Sequence, residues 1–111
     1  MKELLEIYYK GFAQKSGWEQ TLADDFEFVM NDGEPLIGKQ AYIAMCEKFS
    51  QTYRTMRVVR SIVEGNDACT IASYDWILPD GKTKTGNVIE FWKAENGFLK
   101  ELKIYFNPQK L

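Results

Sequence analysis

Apolar residues recur at two different periods along this chain, with helical spacing in the first half and strand-like runs in the second half. Near the N-terminus they return every three or four positions from Leu4 to Phe12, while charged side chains take the other face. This spacing predicts an amphipathic helix that ends near Gly17. A short second helix is predicted over residues 18–22, and helical spacing of apolar residues predicts a third over residues 39–53.

Shorter apolar runs, bounded by turn residues, predict the strands. Residues 26–30 form one such run, Asn31-Asp32-Gly33 forms a turn, and residues 34–37 indicate a short edge strand that contains a proline. Turn chemistry in the second half divides four successive strands, over residues 56–64, 67–78, 83–94 and 98–106. Helices followed by a meander predict an α+β fold, with three N-terminal helices packed on an antiparallel sheet, in a single domain spanning residues 1–111.

The turns between the last three strands decide which side chains face the helices. Both hairpins suit a three-residue loop closed by a left-handed glycine, which pairs Ala94 with Phe98 in the second hairpin. Counting outward from the two loops places Glu90 opposite Thr70 and Leu102. Even-numbered residues of all three strands then share the more apolar face, which we expect to meet the helices. A two-residue turn at either hairpin would reverse the faces of a strand.

The odd-numbered face of the same strands also carries side chains that are too apolar for free exposure. We expect this outer face to form a homodimer interface. Its contributors would be Ile71, Ser73, Ile89, Phe91 and Tyr105.

Aromatic residues make up 14% of the chain, with 3 Trp, 6 Tyr and 7 Phe, and these rings must either fill the core or line a cavity. We expect an internal pocket that holds a small apolar molecule; a solid core is the alternative. The residues expected to line the pocket are Phe12, Trp18, Phe28, Met30, Tyr42, Met45, Phe49, Val58, Tyr74, Trp76, Val88, Trp92, Leu102, Ile104 and Phe106.

The charge balance indicates neither nucleic acid nor a membrane as a partner. The net charge is −2, which provides no overall attraction to a polyanion. Arg54, Arg57 and Arg60 form a local basic cluster, but Glu47 and Glu64 flank it. A solvated sheet edge explains the cluster better than a phosphate-binding track.

The chain contains no histidine, which excludes Ser-His-Asp machinery and histidine-based zinc sites. We therefore expect no metal and no cofactor. Cys46 and Cys69 fit no C-x-x-C pattern and are expected to be free thiols in a reducing compartment. Because Met1 is followed by a helical pattern, and no run is long enough to span a bilayer, we expect a cytoplasmic protein.

Four short motifs, separated by the predicted elements, carry a resemblance to known proteins. They are Leu22-Ala23-Asp24-Asp25-Phe26, Ile37-Gly38-Lys39-Gln40-Ala41-Tyr42, Glu90-Phe91-Trp92 and Ile104-Tyr105-Phe106-Asn107-Pro108. In this order they resemble the SnoaL-like and ketosteroid-isomerase-like families of the nuclear-transport-factor-2-like superfamily, over essentially the whole chain. The resemblance implies a strongly curved sheet and a cone-shaped α+β barrel. It does not imply one function, because the superfamily includes isomerases, cyclases, dehydratases, transport factors and ligand binders.

Glu90 is the first candidate for chemistry, because it is a carboxylate in the otherwise apolar run Val88-Ile89-Glu90-Phe91-Trp92. A carboxyl group buried among rings is costly to ionise, so its pKa should rise. It could then donate a proton to a ligand oxygen or act as a general acid. The alternatives are an ion pair with Arg60, or an outward position after a one-residue shift of register.

Tyr8 is the second candidate, and it rests on the resemblance. Its place on the first helix resembles that of the tyrosine that donates to the oxyanion in ketosteroid isomerases, where a neutral acid assists it. The alternative is a core tyrosine at helical spacing.

The general base of those isomerases has no clear counterpart in this chain. Aligning Asp24-Asp25 with the family's acidic pair places Met30 at the base position, and the nearest carboxylate is Asp32 in the turn. Asp32 could act as a base or could simply shape the turn.

Three functions are therefore open on the sequence alone. The first is a binding protein whose pocket holds a small, largely apolar molecule, with Glu90 and Tyr8 on one oxygen. The second is a cofactor-free isomerase, cyclase or dehydratase that uses Glu90 as acid and Asp32 as base. The third is a dimerisation module whose pocket is filled.

Overall fold

The computed structural model describes residues 1–106 of the chain. Asn107 and Pro108, which end the fourth motif, lie outside the described residues. The elements follow in the order α1 (Lys2–Gln14), a three-residue 3-10 helix (Glu19–Thr21), β1 (Leu22–Met30), β2 (Leu36–Ile37), α2 (Lys39–Phe49), β3 (Tyr53–Glu64), β4 (Asp67–Ile77), β5 (Thr83–Glu95) and β6 (Phe98–Tyr105). The predicted α+β class is confirmed.

The prediction of three helices is wrong in one detail, because the second helix is only the 3-10 turn. Leu22 already has extended backbone angles and begins β1, so only one 3-10 turn lies between it and the chain reversal that follows α1. A Cβ on Gly11 would lie 2.6 Å from the backbone nitrogen of Trp18, so the returning chain passes directly over this glycine. The reversal itself begins at Lys15, which has a left-handed φ of 62°.

The third predicted helix also ends earlier than expected. α2 ends at Phe49, where the Thr52 hydroxyl bonds the carbonyl oxygen of Phe49 at 2.7 Å. Tyr53 starts β3 instead of closing the helix, and its buried ring stacks on Phe12 with centroids 5.8 Å apart. Contact between distant segments thus outweighs local helical spacing at this point.

The six strands form one sheet in the order β2-β1-β6-β5-β4-β3. The last four strands form the predicted antiparallel meander. β1 enters the sheet beside β6 and runs parallel to it, so the sheet is mixed and not wholly antiparallel as predicted. The helices cover one face of this sheet, and the buried side chains of α1 and α2 meet the inner face there.

The hairpin between β5 and β6 has a different turn from the one predicted. Glu95 pairs with Phe98 across the two-residue turn Asn96-Gly97, whose φ angles are 54° and 82°. Such a turn would reverse the faces of β6. A bulge that leaves Lys100 without a partner adds one residue and restores the predicted faces.

The two register differences move the pairing by two residues without changing the inner face. Glu90 lies opposite Ile104 and not Leu102, and Trp92 takes Leu102 as its partner. The predicted pairing of Thr70 with Glu90 is confirmed. Thr70, Tyr74, Val88, Glu90, Trp92 and Leu102 are all buried on this face.

Candidate functional site

An apolar cavity of about 140 Å³ lies between the two helices and the inner face of the sheet. Its volume is close to the roughly 150 Å³ of an engineered cavity that holds benzene, so one ring fits. The lining residues are Tyr8, Phe12, Phe28, Met30, Tyr42, Met45, Cys46, Phe49, Tyr74, Trp76, Val88, Glu90, Leu102, Ile104 and Phe106.

Met30, which lines the cavity at the end of β1, is 41% exposed. Phe28, Met30 and Met45 line the cavity and also a surface groove that continues past Leu36 and Lys48. Flexible methionine side chains can adapt to ligands of different shape. The cavity and the groove share three lining residues at this end of β1.

Glu90 is the single carboxylate among the described residues that line the cavity. It is only 5% exposed, and burial raises its pKa from the ordinary 4.5 to about 7. The alternative pairing with Arg60 is not formed, because Arg60 lies exposed on the outer side of β3, where its register partner is Ile71. The buried carboxyl group therefore holds its proton up to neutral pH.

Tyr9 is the hydrogen-bond partner of Glu90, and sequence reasoning missed it. The Tyr9 hydroxyl donates to Glu90 Oε1 at 2.7 Å and accepts a hydrogen bond from Trp92 Nε1 at 2.8 Å. This bond from Tyr9 opposes part of the rise in the pKa of Glu90. The pair Tyr8-Tyr9 was the only sequence signal, and nothing in it says which ring turns toward the carboxyl group.

Tyr8 lines the cavity, but its hydroxyl bonds Tyr42 and not Glu90. The two hydroxyl oxygens lie 2.7 Å apart, and burial raises the pKa of both phenols well above the ordinary value. Two hydroxyl groups share one hydrogen bond, so one hydrogen of the pair stays available to a ligand. Tyr8 and Glu90 both line the cavity, as predicted, and their joint contact with one ligand oxygen stays a prediction.

Several residues predicted for the site lie elsewhere. Trp18 is buried between Tyr8, Phe12 and Tyr42 in the core, and Trp92 lies behind Tyr9 in the same core; neither lines the cavity. Their large rings fill the space beside the cavity instead of bordering it.

Val58 and Asp32 also lie away from the cavity. Val58 is 41% exposed and lines a separate groove between α1 and β3, because β3 extends beyond the cover of the helices. Asp32 lies in the turn after β1 and accepts a 2.9 Å hydrogen bond from Tyr105. Asp32 is not among the residues that line the cavity, so the structure does not place the predicted base beside Glu90.

The remaining predicted pocket residues line the cavity, together with the unpredicted Cys46. Burial raises the pKa of the Cys46 thiol to about 12, which keeps it protonated and unreactive. Within residues 1–106, no group of three or more Cys, Asp or Glu side chains is placed to hold a metal ion. In that same part of the chain no helix is long and apolar enough to cross a membrane.

Comparison with known proteins identifies the family to which the chain belongs. A family model described as the SnoaL-like domain matches residues 6–102, and the chain belongs to this family, within the nuclear-transport-factor-2-like folds. Among curated proteins, none is similar enough in sequence to match.

Similar solved structures agree on the fold. A protein from Pseudomonas putida, provisionally described as a polyketide cyclase, is 21% identical with a TM-score of 0.83, over 97% of this chain and 92% of that one. A similarly described protein from Xanthomonas campestris is 21% identical with a TM-score of 0.79, over 98% and 91%. TerC, co-crystallised with polyporic acid, is 17% identical with a TM-score of 0.80, over 96% and 90%. At these identities the likeness shows the fold alone.

Proposed function

We propose that this protein binds a small, largely apolar molecule in the cavity and that Glu90 contacts the polar atom of that molecule. One observation carries the proposal: a single carboxylic acid, protonated up to about pH 7, stands in an otherwise apolar cavity. A protonated acid donates a hydrogen bond without placing a charge in the cavity. The favoured ligand is therefore one ring that carries a carbonyl or hydroxyl oxygen.

Two further observations support a binding role. TerC, a structural neighbour with this fold, is described as co-crystallised with polyporic acid, an organic molecule. The spare hydrogen of the Tyr8–Tyr42 pair offers a second donor on the lining. An oxygen of the ligand would gain at least one hydrogen bond, while its ring would be removed from water.

Thermal-shift measurements test this proposal with matched probes. Acetophenone and phenol carry the oxygen, whereas ethylbenzene and toluene are their counterparts without it. A ligand that binds only the folded state raises the Tm, by roughly 4–8 °C for each kcal/mol in a domain of this size. We expect the oxygenated probes to give the larger shifts, and Glu90→Leu to remove the difference.

Glu95→Leu changes an exposed glutamate next to the Asn96-Gly97 turn and should leave all shifts unchanged. If none of the four probes raises the Tm, the cavity does not bind molecules of this class.

A second candidate is acid catalysis of an isomerisation, cyclisation or dehydration with Glu90 as proton donor. It is favoured by the pKa of Glu90 near 7, where an acid can be both protonated and a good donor. The structural neighbours provisionally described as polyketide cyclases point to the same chemistry. Asp32 is not part of this candidate, so proton removal would fall to water or to the substrate itself.

Mass spectrometry distinguishes this candidate from binding alone. A linear poly-β-carbonyl thioester that cyclises and dehydrates loses one water, which the product mass reports directly. Glu90→Gln should abolish the conversion, whereas Glu95→Gln should not. A substrate that binds but is recovered unchanged leaves binding as the function.

We also propose a homodimer that uses the outer face of the sheet. Ile89 and Phe91 stay exposed there, beside the half-buried Ile71. Ser73 no longer belongs to the proposed contact, because it is only 1% exposed in the single chain, between its register partners Arg57 and Asn87. For the compartment, the two free cysteines favour the cytoplasm.

A further inference from the structure

One residue on the cavity lining carries a buried hydrogen-bond donor that the protein itself does not satisfy. Trp76 lines the cavity, and its indole Nε1 is buried without a hydrogen-bond partner within residues 1–106. Trp92 shows the ordinary arrangement, because its Nε1 donates to the Tyr9 hydroxyl at 2.8 Å and its ring does not line the cavity. A buried N–H without an acceptor is destabilising and rare in native proteins, so the exception at Trp76 calls for a cause.

The surroundings of the Trp76 indole indicate where an acceptor would come from. Tyr74 stacks on it with ring centroids 5.0 Å apart, and Phe49 meets it edge to face at 5.1 Å. Neither ring is a hydrogen-bond partner of the N–H. Trp76 borders the cavity but neither the groove between α1 and β3 nor the surface groove past Leu36. A molecule in the cavity is therefore the natural source of the acceptor.

Trp76 and Glu90 lie toward opposite ends of the cavity. Across β4 and β5, Trp76 pairs with Lys84 and Glu90 pairs with Thr70. On β5 these two pairs are separated by the six positions from 84 to 90, which is roughly 20 Å of strand. One oxygen atom cannot contact both groups across that span, even though both side chains are long. The two groups therefore suit two different atoms of a ligand.

We propose that Trp76 Nε1 donates a hydrogen bond to an acceptor oxygen of the ligand, at the end opposite to the oxygen that Glu90 contacts. The inference rests on the proposed function and deepens it, because it adds a second polar atom to the ligand. The favoured class becomes a ring with acceptor oxygens on two opposite (para) positions. An indole N–H donates and cannot accept, so an ammonium or other group that only donates is disfavoured at that end.

Two probes of equal shape test this inference. 1,4-Diacetylbenzene has a carbonyl oxygen at both ends, whereas 4-isopropylacetophenone has a methyl group in place of one of these oxygens. Calorimetry gives both dissociation constants, and their ratio is compared between variants, because the two probes differ in the cost of leaving water. Trp76→Phe keeps an aromatic ring but removes the N–H. We expect it to weaken 1,4-diacetylbenzene relative to 4-isopropylacetophenone by roughly three- to tenfold, the effect of one neutral hydrogen bond.

A matched substitution in the core provides the control. Trp18→Phe removes the same indole group from a buried position that does not line the cavity, and it should keep the wild-type ratio. Glu90 is untouched in Trp76→Phe, so the larger Tm shift with acetophenone than with ethylbenzene should persist there. These melting data separate a failure at Trp76 from a failure of the proposed function.

The wild-type protein provides a second measurement that does not depend on the stability of a variant. The three tryptophans give three indole N–H signals in a ¹H–¹⁵N spectrum. The Trp76 signal is assigned by its absence in Trp76→Phe or, if that variant does not fold, by elimination with Trp18→Phe and Trp92→Phe. 1,4-Diacetylbenzene should slow the hydrogen exchange of this N–H with water more than 4-isopropylacetophenone does.

Two outcomes overturn the inference: an unchanged ratio of dissociation constants in Trp76→Phe, or an equal effect of the two probes on the exchange of the Trp76 N–H. A protein that binds acetophenone but neither of the para-disubstituted probes keeps the proposed function and loses this inference.

Discussion

The Tyr9 hydroxyl lies 2.7 Å from Glu90 Oε1, and it is this neighbour, not Tyr8, that holds the buried carboxyl group. Tyr8 and Tyr9 are adjacent on α1, but their hydroxyl groups have different hydrogen-bond partners. Tyr9 faces Glu90 and Trp92, whereas Tyr8 faces the cavity and Tyr42. The cavity lining therefore carries the Tyr8–Tyr42 hydroxyl pair and a carboxylic acid that is hydrogen-bonded to Tyr9, which does not line the cavity.

The first prediction concerns the pH dependence of stability. The pKa of Glu90 is about 7 in the folded protein, against an ordinary 4.5, so the folded state binds this proton more tightly. Its contribution is fully present below pH 4.5 and is lost as the pH rises to about 7, a fall of about 3 kcal/mol in the free energy of unfolding. Denaturant titrations at several pH values measure it.

Glu90→Gln cannot ionise and should remove this fall, whereas Glu95→Gln should retain it. Glu90 helps to raise the pKa values of five buried neighbours, which stay neutral across this range: Tyr8, Tyr9, Tyr42, Tyr74 and Cys46. An unchanged pH profile in Glu90→Gln would show that Glu90 is not the group that titrates.

The second prediction concerns Tyr9→Phe. Since the Tyr9 hydrogen bond lowers the pKa of Glu90, its removal should raise that pKa above about 7. It also leaves Trp92 Nε1 without its acceptor, at a cost of about 1–3 kcal/mol in stability. Infrared titration of the carboxylic acid band gives the pKa. Tyr105→Phe, which removes a hydroxyl on the outer face, is the control and should leave it unchanged.

The third prediction concerns Gly11→Ala. Replacing glycine by alanine inside a helix ordinarily stabilises it by about 1 kcal/mol. Here the new Cβ would lie 2.6 Å from the Trp18 nitrogen, so the chain reversal must shift. We expect a net loss of about 1–3 kcal/mol, measured by denaturant unfolding. Lys10→Ala, at an exposed position of the same helix, should change little, and a gain in Gly11→Ala would contradict the close approach.

The fourth prediction tests the homodimer by sedimentation. Phe91 is 49% exposed on the outer face, and Ile7 is 45% exposed on α1, which covers the opposite face of the sheet. Phe91→Ser should shift the protein toward monomer, while Ile7→Ser, at a similarly exposed apolar position, should not. A wild-type protein that sediments as a monomer at all concentrations would refute the interface.

Much of the fold could be predicted because it depends on neighbours along the chain. Helical spacing located α1 and α2, and turn residues located the four strands of the meander. The even-numbered residues do form the inner face, but through two differences that each reverse the faces of β6. The Asn96-Gly97 turn is one residue shorter than the expected loop, and the bulge at Lys100 adds one residue to β6. The turn residues alone did not indicate the shorter loop or the bulge.

The site was less predictable, because its partners come from distant segments. Glu90 stood out as a charge in an apolar run, and its burial followed from the sheet period. Which tyrosine reaches it depends on the rotation of α1 over the sheet. Asp32 appeared close along the chain, yet the turn directs it to Tyr105 on the other side.

By itself the sequence determined the α+β class, the inner face of the meander and the acid within it, because periods of two and 3.6 residues are properties of the local backbone. The tertiary structure decided that Tyr9 holds Glu90, that Trp18 and Trp92 fill the core beside the cavity, and that β1 lies parallel to β6. These outcomes depend on how helices and strands pack together over the whole chain. Glu90 could be picked out in the sequence, but only packing supplied its partner.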